Sequence, residues 1–306
     1  MFSFVLRRIV RIIPIALCVV TALFFLFQLV PGDPALLIAG PMASPEEIAA
    51  IRHAIGLDQP ILLQYWDHIS GLALGDFGYS LTFKGSPLPQ VLARLPATLW
   101  LTAVSIVLTV LIGIPAGMVS ALYRGRALDN LTSIIVVGCL AVPNFCIGLV
   151  LISTFSVKLG WLPSFGFQDW RSVLMPALAL AARLIAFVAR MTRNIMIEEL
   201  RKDYVRTARA KGMRGYAVLV RHVLRNTLIP IVTIIGLQAG YLLGGAIVIE
   251  RLFSWPGIGD LLINAVGLRD YALIQGITII FVVGFLLINL ATDVIYMAIN
   301  PRLRHV

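Results

Sequence analysis

The sequence predicts an all-α polytopic membrane protein with six transmembrane helices and both the N- and C-termini cytoplasmic. The chain is 59% hydrophobic and only 13% charged over 306 residues, far from the balance of a soluble domain. Its uncharged runs reach the roughly 20 residues that a helix needs to cross a bilayer, and they are too long and too evenly apolar for barrel strands. Charge placement sets the topology. Of the 25 Lys and Arg residues, only Arg52, Lys84, Arg94, Lys158, Arg171, Arg251 and Arg269 fall on segments that six spans put outside. Arg183 lies within a span and the rest fall inside, as the positive-inside rule requires. The net charge of +10 therefore reports membrane topology, not nucleic acid as a partner.

Arg7, Arg8 and Arg11 precede an uncharged run from Ile12 to Val30. Basic residues before an apolar segment suggest a signal peptide, but the run is too long for an h-region and no small-residue cleavage site follows closely. Residues 1–30 are expected to be an N-terminal tail and the first transmembrane helix. Pro31-Gly32-Asp33-Pro34 ends it, because neither proline can continue a helix. In the extracytoplasmic loop region, 31–96, the acids Asp33, Glu46, Glu47, Asp58, Asp67 and Asp76 outnumber Arg52, Lys84 and Arg94. Ser44-Pro45-Glu46-Glu47 reads as a helix start, with a capping serine, a proline and two acids in the first turn. This region is either a cover over the outer face or a ligand-binding surface. Neither His53 nor His68 has metal-ligand spacing around it.

Residues 97–297 supply the core, with five further transmembrane helices at about 99–121, 132–156, 173–191, 228–249 and 272–296. Gly113 and Gly117 form a small-xxx-small pair that lets another helix approach. Val142-Pro143-Asn144 interrupts the third span, as a tolerated kink or as part of a polar pathway. Arg183 sits within the fourth, where a charge costs roughly 2.5–3.5 kcal/mol on insertion scales. It either faces a cavity or snorkels toward Arg190 and Arg193. Gly236, Gly240 and Gly244 share one face of the fifth span for packing, and Asp293 lies near the inner end of the sixth. Residues 298–306 form a cytoplasmic tail.

Between the fourth and fifth spans, residues 193–227 are polar and rich in helix formers, punctuated by Gly212 and Gly215. One helix is expected to run to about Lys211 and a second from Tyr216 to about Asn226. The apolar face of the second combines Tyr216, Leu219, Val220, Val223 and Leu224. The result is a rigid basic knob at the membrane surface, a handle for another protein.

Chemistry of other kinds is missing from the sequence. There is no phosphate-cradling G-x-x-x-x-G-K-[ST], no nucleophile elbow, and no metal-binding cluster, so no catalytic or metal residues are assigned. Cys18, Cys139 and Cys146 all fall in expected spans and read as small apolar residues. The chain is a conduit whose energy source lies elsewhere.

Over essentially its whole length the chain resembles the permease subunits of bacterial peptide-type ABC importers, the dipeptide, oligopeptide, glutathione and nickel group. The matching stretches include Pro31-Gly32-Asp33-Pro34, Gly56-Leu57-Asp58-Gln59-Pro60, Gly75-Asp76-Phe77-Gly78-Tyr79-Ser80 and Leu159-Gly160-Trp161-Leu162-Pro163. They continue with the run from Asp203 to Gly212, Leu224-Arg225-Asn226, the run from Phe253 to Gly259, and Arg269-Asp270-Tyr271. The resemblance implies a type I ABC importer permease fold in the bacterial inner membrane and no cofactor in this chain. It also implies four partners besides membrane lipid. These are a homologous second permease, two cytoplasmic ATP-binding subunits holding ATP and Mg, and an extracytoplasmic solute-binding protein. The loop at 193–227 becomes the coupling loop. Its ATPase-coupling residues are Tyr204, Arg206, Thr207, Ala208, Lys211 and Gly212, in the place of the family's E-A-A-x-x-x-G signature, with Arg206 where glutamate stands in that pattern. From the residues themselves, Arg183 and Asn144 are the candidates for lining the pathway. The expected cargo is a short peptide or peptide-like solute (dipeptide, oligopeptide or glutathione), with nickel or another small solute as the alternative. An intramembrane enzyme using Arg183, Asn144 or Asp293 lacks a nucleophile–base pair, and an ATP-independent carrier would have to work alone.

Overall fold

The computed structural model describes residues 2–29, 33–40 and 42–299, and among them the backbone is almost wholly helical, with a single isolated bridge between Ser80 and Gly85. Pro31 and Gly32, and residues 300–306 of the expected tail, lie outside the described residues, as does the side chain of Asp293. The helices are α1 (Phe2–Leu29), α2 (Pro34–Ala39), α3 (Pro45–Ala54), α4 (Ile61–Ala73), α5 (Leu88–Leu122) and α6 (Ala127–Ala141). They continue with α7 (Asn144–Lys158), α8 (Trp170–Glu199), α9 (Asp203–Ala210), α10 (Gly215–Leu252), α11 (Ile258–Gly267) and α12 (Tyr271–Ile299). Among the described residues, α5, α8, α10 and the Tyr271–Thr292 part of α12 are each long and apolar enough to cross a membrane. The α6–α7 pair makes a fifth if counted as one broken span, and α1 contains the shorter apolar stretch Ile13–Leu29.

The third expected span is where the backbone departs most from a straight helix. α6 and α7 are bent by 111°. Proline disfavours helical geometry in the residue before it and has no N–H to give. Val142 accordingly adopts extended backbone (φ −89°, ψ 132°), and a new helix starts at Asn144. The opposite happens after the polar insert. The second expected helix and the fifth span are one continuous helix, α10, with Pro230 inside it. A wide π turn at Leu219–Leu224 breaks the 3.6-residue period there. Val218 and Val223 are buried, while Tyr216 and Val220 are exposed, so the apolar face differs from the one the periodicity suggests.

The chain divides into two compact units. One comprises 94–260 together with the chain from Gly284 onward. Its centre is α8, packed against α5, α6, α7 and α10. The approach is close because both sides are small. α8 buries Ala177, Ala179, Ala181, Ala182, Ala186 and Ala189, and a Cβ on Gly117 of α5 would lie 2.6 Å from the Thr192 Cβ. Gly236 and Gly240 of α10 serve α12 in the same way, against Thr292 and Phe285, whereas Gly244 has nothing within 4 Å.

Two buried carboxylates fasten this unit. Asp129, at the start of α6, accepts from Arg193 Nε (2.7 Å) and Nη2 (2.8 Å), from Ser120 Oγ (2.5 Å) and from the Gly125 N–H (2.8 Å), which ties α5, α6 and α8 together. Glu250, near the end of α10, accepts from Thr98 Oγ1 (2.6 Å) and from the N–H groups of Gly259 (2.7 Å) and Asp260 (3.2 Å). Gly257 leaves no room for a Cβ beside that carboxylate. The loop it holds buries Phe253 and Trp255, and the Trp255 indole donates to Ala97 O at 2.9 Å.

The other unit comprises 2–93 and 261–283. Ser44 caps α3 in a reciprocal capping box with Glu47, as its sequence suggests. Tyr65 and His68 of α4 meet Phe24 of α1 with ring centroids 5.4 and 5.5 Å apart. Asp270, fully buried, accepts from Ser80 Oγ (2.6 Å) and from the N–H groups of Thr82 (2.9 Å) and Leu273 (3.1 Å). It joins the loop after Tyr79 to the start of α12.

Candidate functional site

Two basic regions of the first unit hold the residues singled out from the sequence. The first is α9. It starts after Lys202, whose backbone is extended, and it carries Asp203 in its first turn and Arg209 in its last, the arrangement that suits the helix dipole. Val205 and Ala208, three residues apart, bury against Met196, Val218, Val223 and Ala121. The Tyr204 hydroxyl donates to Glu199 Oε2 at 2.6 Å, and Lys202 pairs with the same carboxylate. Burial, followed by that bond to Glu199, pushes the Tyr204 hydroxyl above its ordinary pKa, so it keeps its proton. Gly212 ends the segment with φ +77°, a left-handed conformation that glycine adopts without strain.

The structure thus splits the six expected coupling residues between two sides. Tyr204 and Ala208 face the body of the unit. Arg206, Thr207, Lys211 and Gly212 are exposed, and the Arg206 side chain keeps 81% of its surface open, 3.8 Å from Asp203.

The second region is the open side of α8. Between Leu174 and Glu199 the exposed residues are Arg183, Arg190, Asn194 and Glu198. They lie at intervals of seven, four and four, which is one stripe of a helix, with half-buried Phe187 completing it. Between Leu174 and Glu199 no large hydrophobic side chain is exposed, although Trp170 at the start of α8 is, whereas α5 exposes Leu111 (63%), α6 Ile134 (70%) and α7 Val150 (64%). Those three helices present hydrocarbon outward, as lipid contact demands. α8 does not.

Arg183 and Asn144, far apart in sequence, line one cavity of about 490 Å³ with Gln238, Tyr241, Leu180 and Phe187. Asn144 Nδ2 donates to Leu180 O at 3.2 Å, while its buried Oδ1 has no partner among the described residues. A second cavity, about 290 Å³, lies along the same helix and is lined by Arg190, Arg193, Asn194, Thr132, Ser133 and Ser120. Arg193 is held by Asp129, but among the described residues no acid pairs with Arg183 or Arg190. Sequence reasoning found Arg183 and Asn144 and missed Arg190, Asn194, Gln238 and Tyr241. The two-turn spacing from Arg183 to Arg190 was the available signal.

Comparison with known proteins adds the following. The family described as binding-protein-dependent transport system inner membrane component matches residues 113–305, and the N-terminal part of such membrane components matches residues 1–102. The glutathione transport system permease protein GsiC of Escherichia coli (strain K12) is 45% identical over 306 residues, the full length of both chains. GsiC of Shigella flexneri serotype 5b (strain 8401) is likewise 45% identical over the full length of both. Among solved structures, the inward-facing MetNI methionine ABC transporter is similar with a TM-score of 0.57 at 22% identity, covering 69% of this chain and 96% of that one. An amino acid ABC transporter solved with histidines gives a TM-score of 0.53 at 18% identity, covering 69% and 94%.

Proposed function

Because the chain belongs to the family of binding-protein-dependent transport system inner membrane components, we propose that it is the permease of an ATP-driven importer for short peptides or peptide-like solutes, with glutathione as the leading cargo. The observation that carries this reading is the 45% identity to a glutathione permease along the entire chain. The polar stripe of α8 among helices that are otherwise apolar outside supports a solute path. The protein crosses the inner membrane six times, α1 being the first span and α6–α7 together the third, with both termini in the cytoplasm. Residues 31–96 lie on the extracytoplasmic side, 97–297 form the permease core, and 193–227 face the cytoplasm with 298–306.

In this reading the chain pairs with a homologous permease, and an extracytoplasmic binding protein delivers solute. Two cytoplasmic subunits bind and hydrolyse ATP with Mg, and this chain hydrolyses nothing. α9 docks on one of them through Arg206, Thr207 and Lys211. Tyr204 and Ala208 pass the load to α8 and α10, and Gly212 sets where the docking helix stops. Coupling of this kind needs one element that both sites bias, here the packing of the spans in outward- and inward-open states.

Reconstitution of the complex in proteoliposomes tests the proposal. Labelled glutathione should enter only with ATP and the binding protein. Ala208→Glu, which forces a charge into the buried side of α9, and Gly212→Pro should abolish uptake while the chain stays in the membrane. Normal uptake in both variants would remove α9 from the mechanism, and ATP-independent uptake by this chain alone would overturn the proposal.

A further inference from the structure

The stripe on α8 has a sign as well as a place. Two arginines inside an apolar span are costly to retain unless they face a cavity or a partner. Neither has an acidic partner among the described residues, and the surface they share carries no exposed hydrophobic side chain, so lipid is a poor neighbour for it. Each opens on its own cavity, Arg183 on the one of about 490 Å³ and Arg190 on the one of about 290 Å³. Seven residues of helix separate them by about 10 Å. Because each side chain opens on its own cavity, that spacing is short enough for a carboxylate held at one to be handed to the other.

We propose that Arg183 and Arg190 are successive stations for a carboxylate-bearing solute, so that the path conducts net-anionic short peptides in preference to cations. The proposal rests on the permease reading above and deepens it. Arg183 takes the carboxylate by charge-assisted hydrogen bonds, for which a planar guanidinium is suited. Asn144 Oδ1, buried and without a donor, accepts an N–H from the same solute. A peptide offers both groups and a bare metal cation offers neither. Phe187 separates the stations. Beyond Arg190 the stripe ends in exposed Glu198, whose charge repels an anion and so favours its departure over its retention.

The test uses the whole importer in proteoliposomes, with glutathione and the dipeptide Lys-Lys as labelled probes. Arg183→Gln and Arg190→Gln should each lower ATP-driven glutathione uptake by about tenfold, the scale of a lost hydrogen bond to a charged group. Binding-protein-stimulated ATP hydrolysis should persist in both. Arg183→Lys and Arg190→Lys should recover part of the uptake, since a lysine restores the charge but not the guanidinium fork. Wild-type rates in the glutamine variants overturn the proposal, and so do lysine variants as defective as the glutamine ones. Uptake of Lys-Lys but not glutathione by the unaltered complex also overturns it while leaving ATP-driven import standing. ATP-driven uptake of neither probe overturns the permease reading beneath it.

Discussion

α8 and α9 are both arginine-bearing helices of one unit, yet their arginines stand in opposite circumstances. On α9 the charges lie in the open, beside an acid one turn away, and cost the fold almost nothing. On α8 Arg183 and Arg190 line cavities within an apolar span, and keeping them there is unfavourable unless something fills the space. An exposed charge acquires meaning from a partner that arrives. An interior charge already implies one. The two helices are also held differently, α8 by a carboxylate fork with several donors and α9 by two small buried side chains and one phenol.

That contrast can be broken most forcefully at Asp129. Asp129→Ala leaves Arg193 without its partner in a confined site and should destabilise the chain by about 3 kcal/mol, seen as a lower midpoint of thermal unfolding in detergent. An unchanged midpoint would mean that α8 is not anchored there. Next comes Tyr204→Phe, which removes one hydrogen bond to Glu199 and should cost about 1 kcal/mol, because the site is only partly buried. Hydrogen exchange faster in α9 than in α8 would register it as local loosening. The smallest effect belongs to Arg206→Ala, expected to alter stability by no more than about 0.5 kcal/mol. Its readout is ATP hydrolysed per solute imported, which should rise if α9 is the docking element and stay constant if it is not.

The all-helical, membrane-crossing character and the family were legible in the sequence because both are written in runs, hydrophobic in one case and motif-bearing in the other. What escaped was set by contacts between distant residues. Asp129, Glu250 and Asp270 stand close to the ends of apolar runs in the sequence, and nothing local shows that each collects donors from other segments. Pro143 and Pro230 illustrate the same limit. Both are prolines within apolar runs, yet Pro143 breaks its helix outright while Pro230 lies inside a continuous one. A membrane helix can absorb one missing backbone bond when neighbours support it, and only the packing decides which outcome prevails. Of the candidate site, Arg183 was conspicuous as a charge in a span. Arg190 looked like an ordinary residue at a helix end until the polar stripe it shares with Arg183, Asn194 and Glu198 set it apart.

The continuity of α10 has a mechanical side. Its 38 residues correspond to about 57 Å of helix, against a hydrocarbon thickness of about 30 Å. Roughly half of the rod therefore stands clear of the lipid tails. Under the docking proposed for α9, the bound partner would hold a lever whose fulcrum is the membrane, and a tilt there would move the far end in proportion to the length on either side. The same rigidity means that softening the rod in its middle, with every contact surface intact, should reduce transmitted displacement without touching a site.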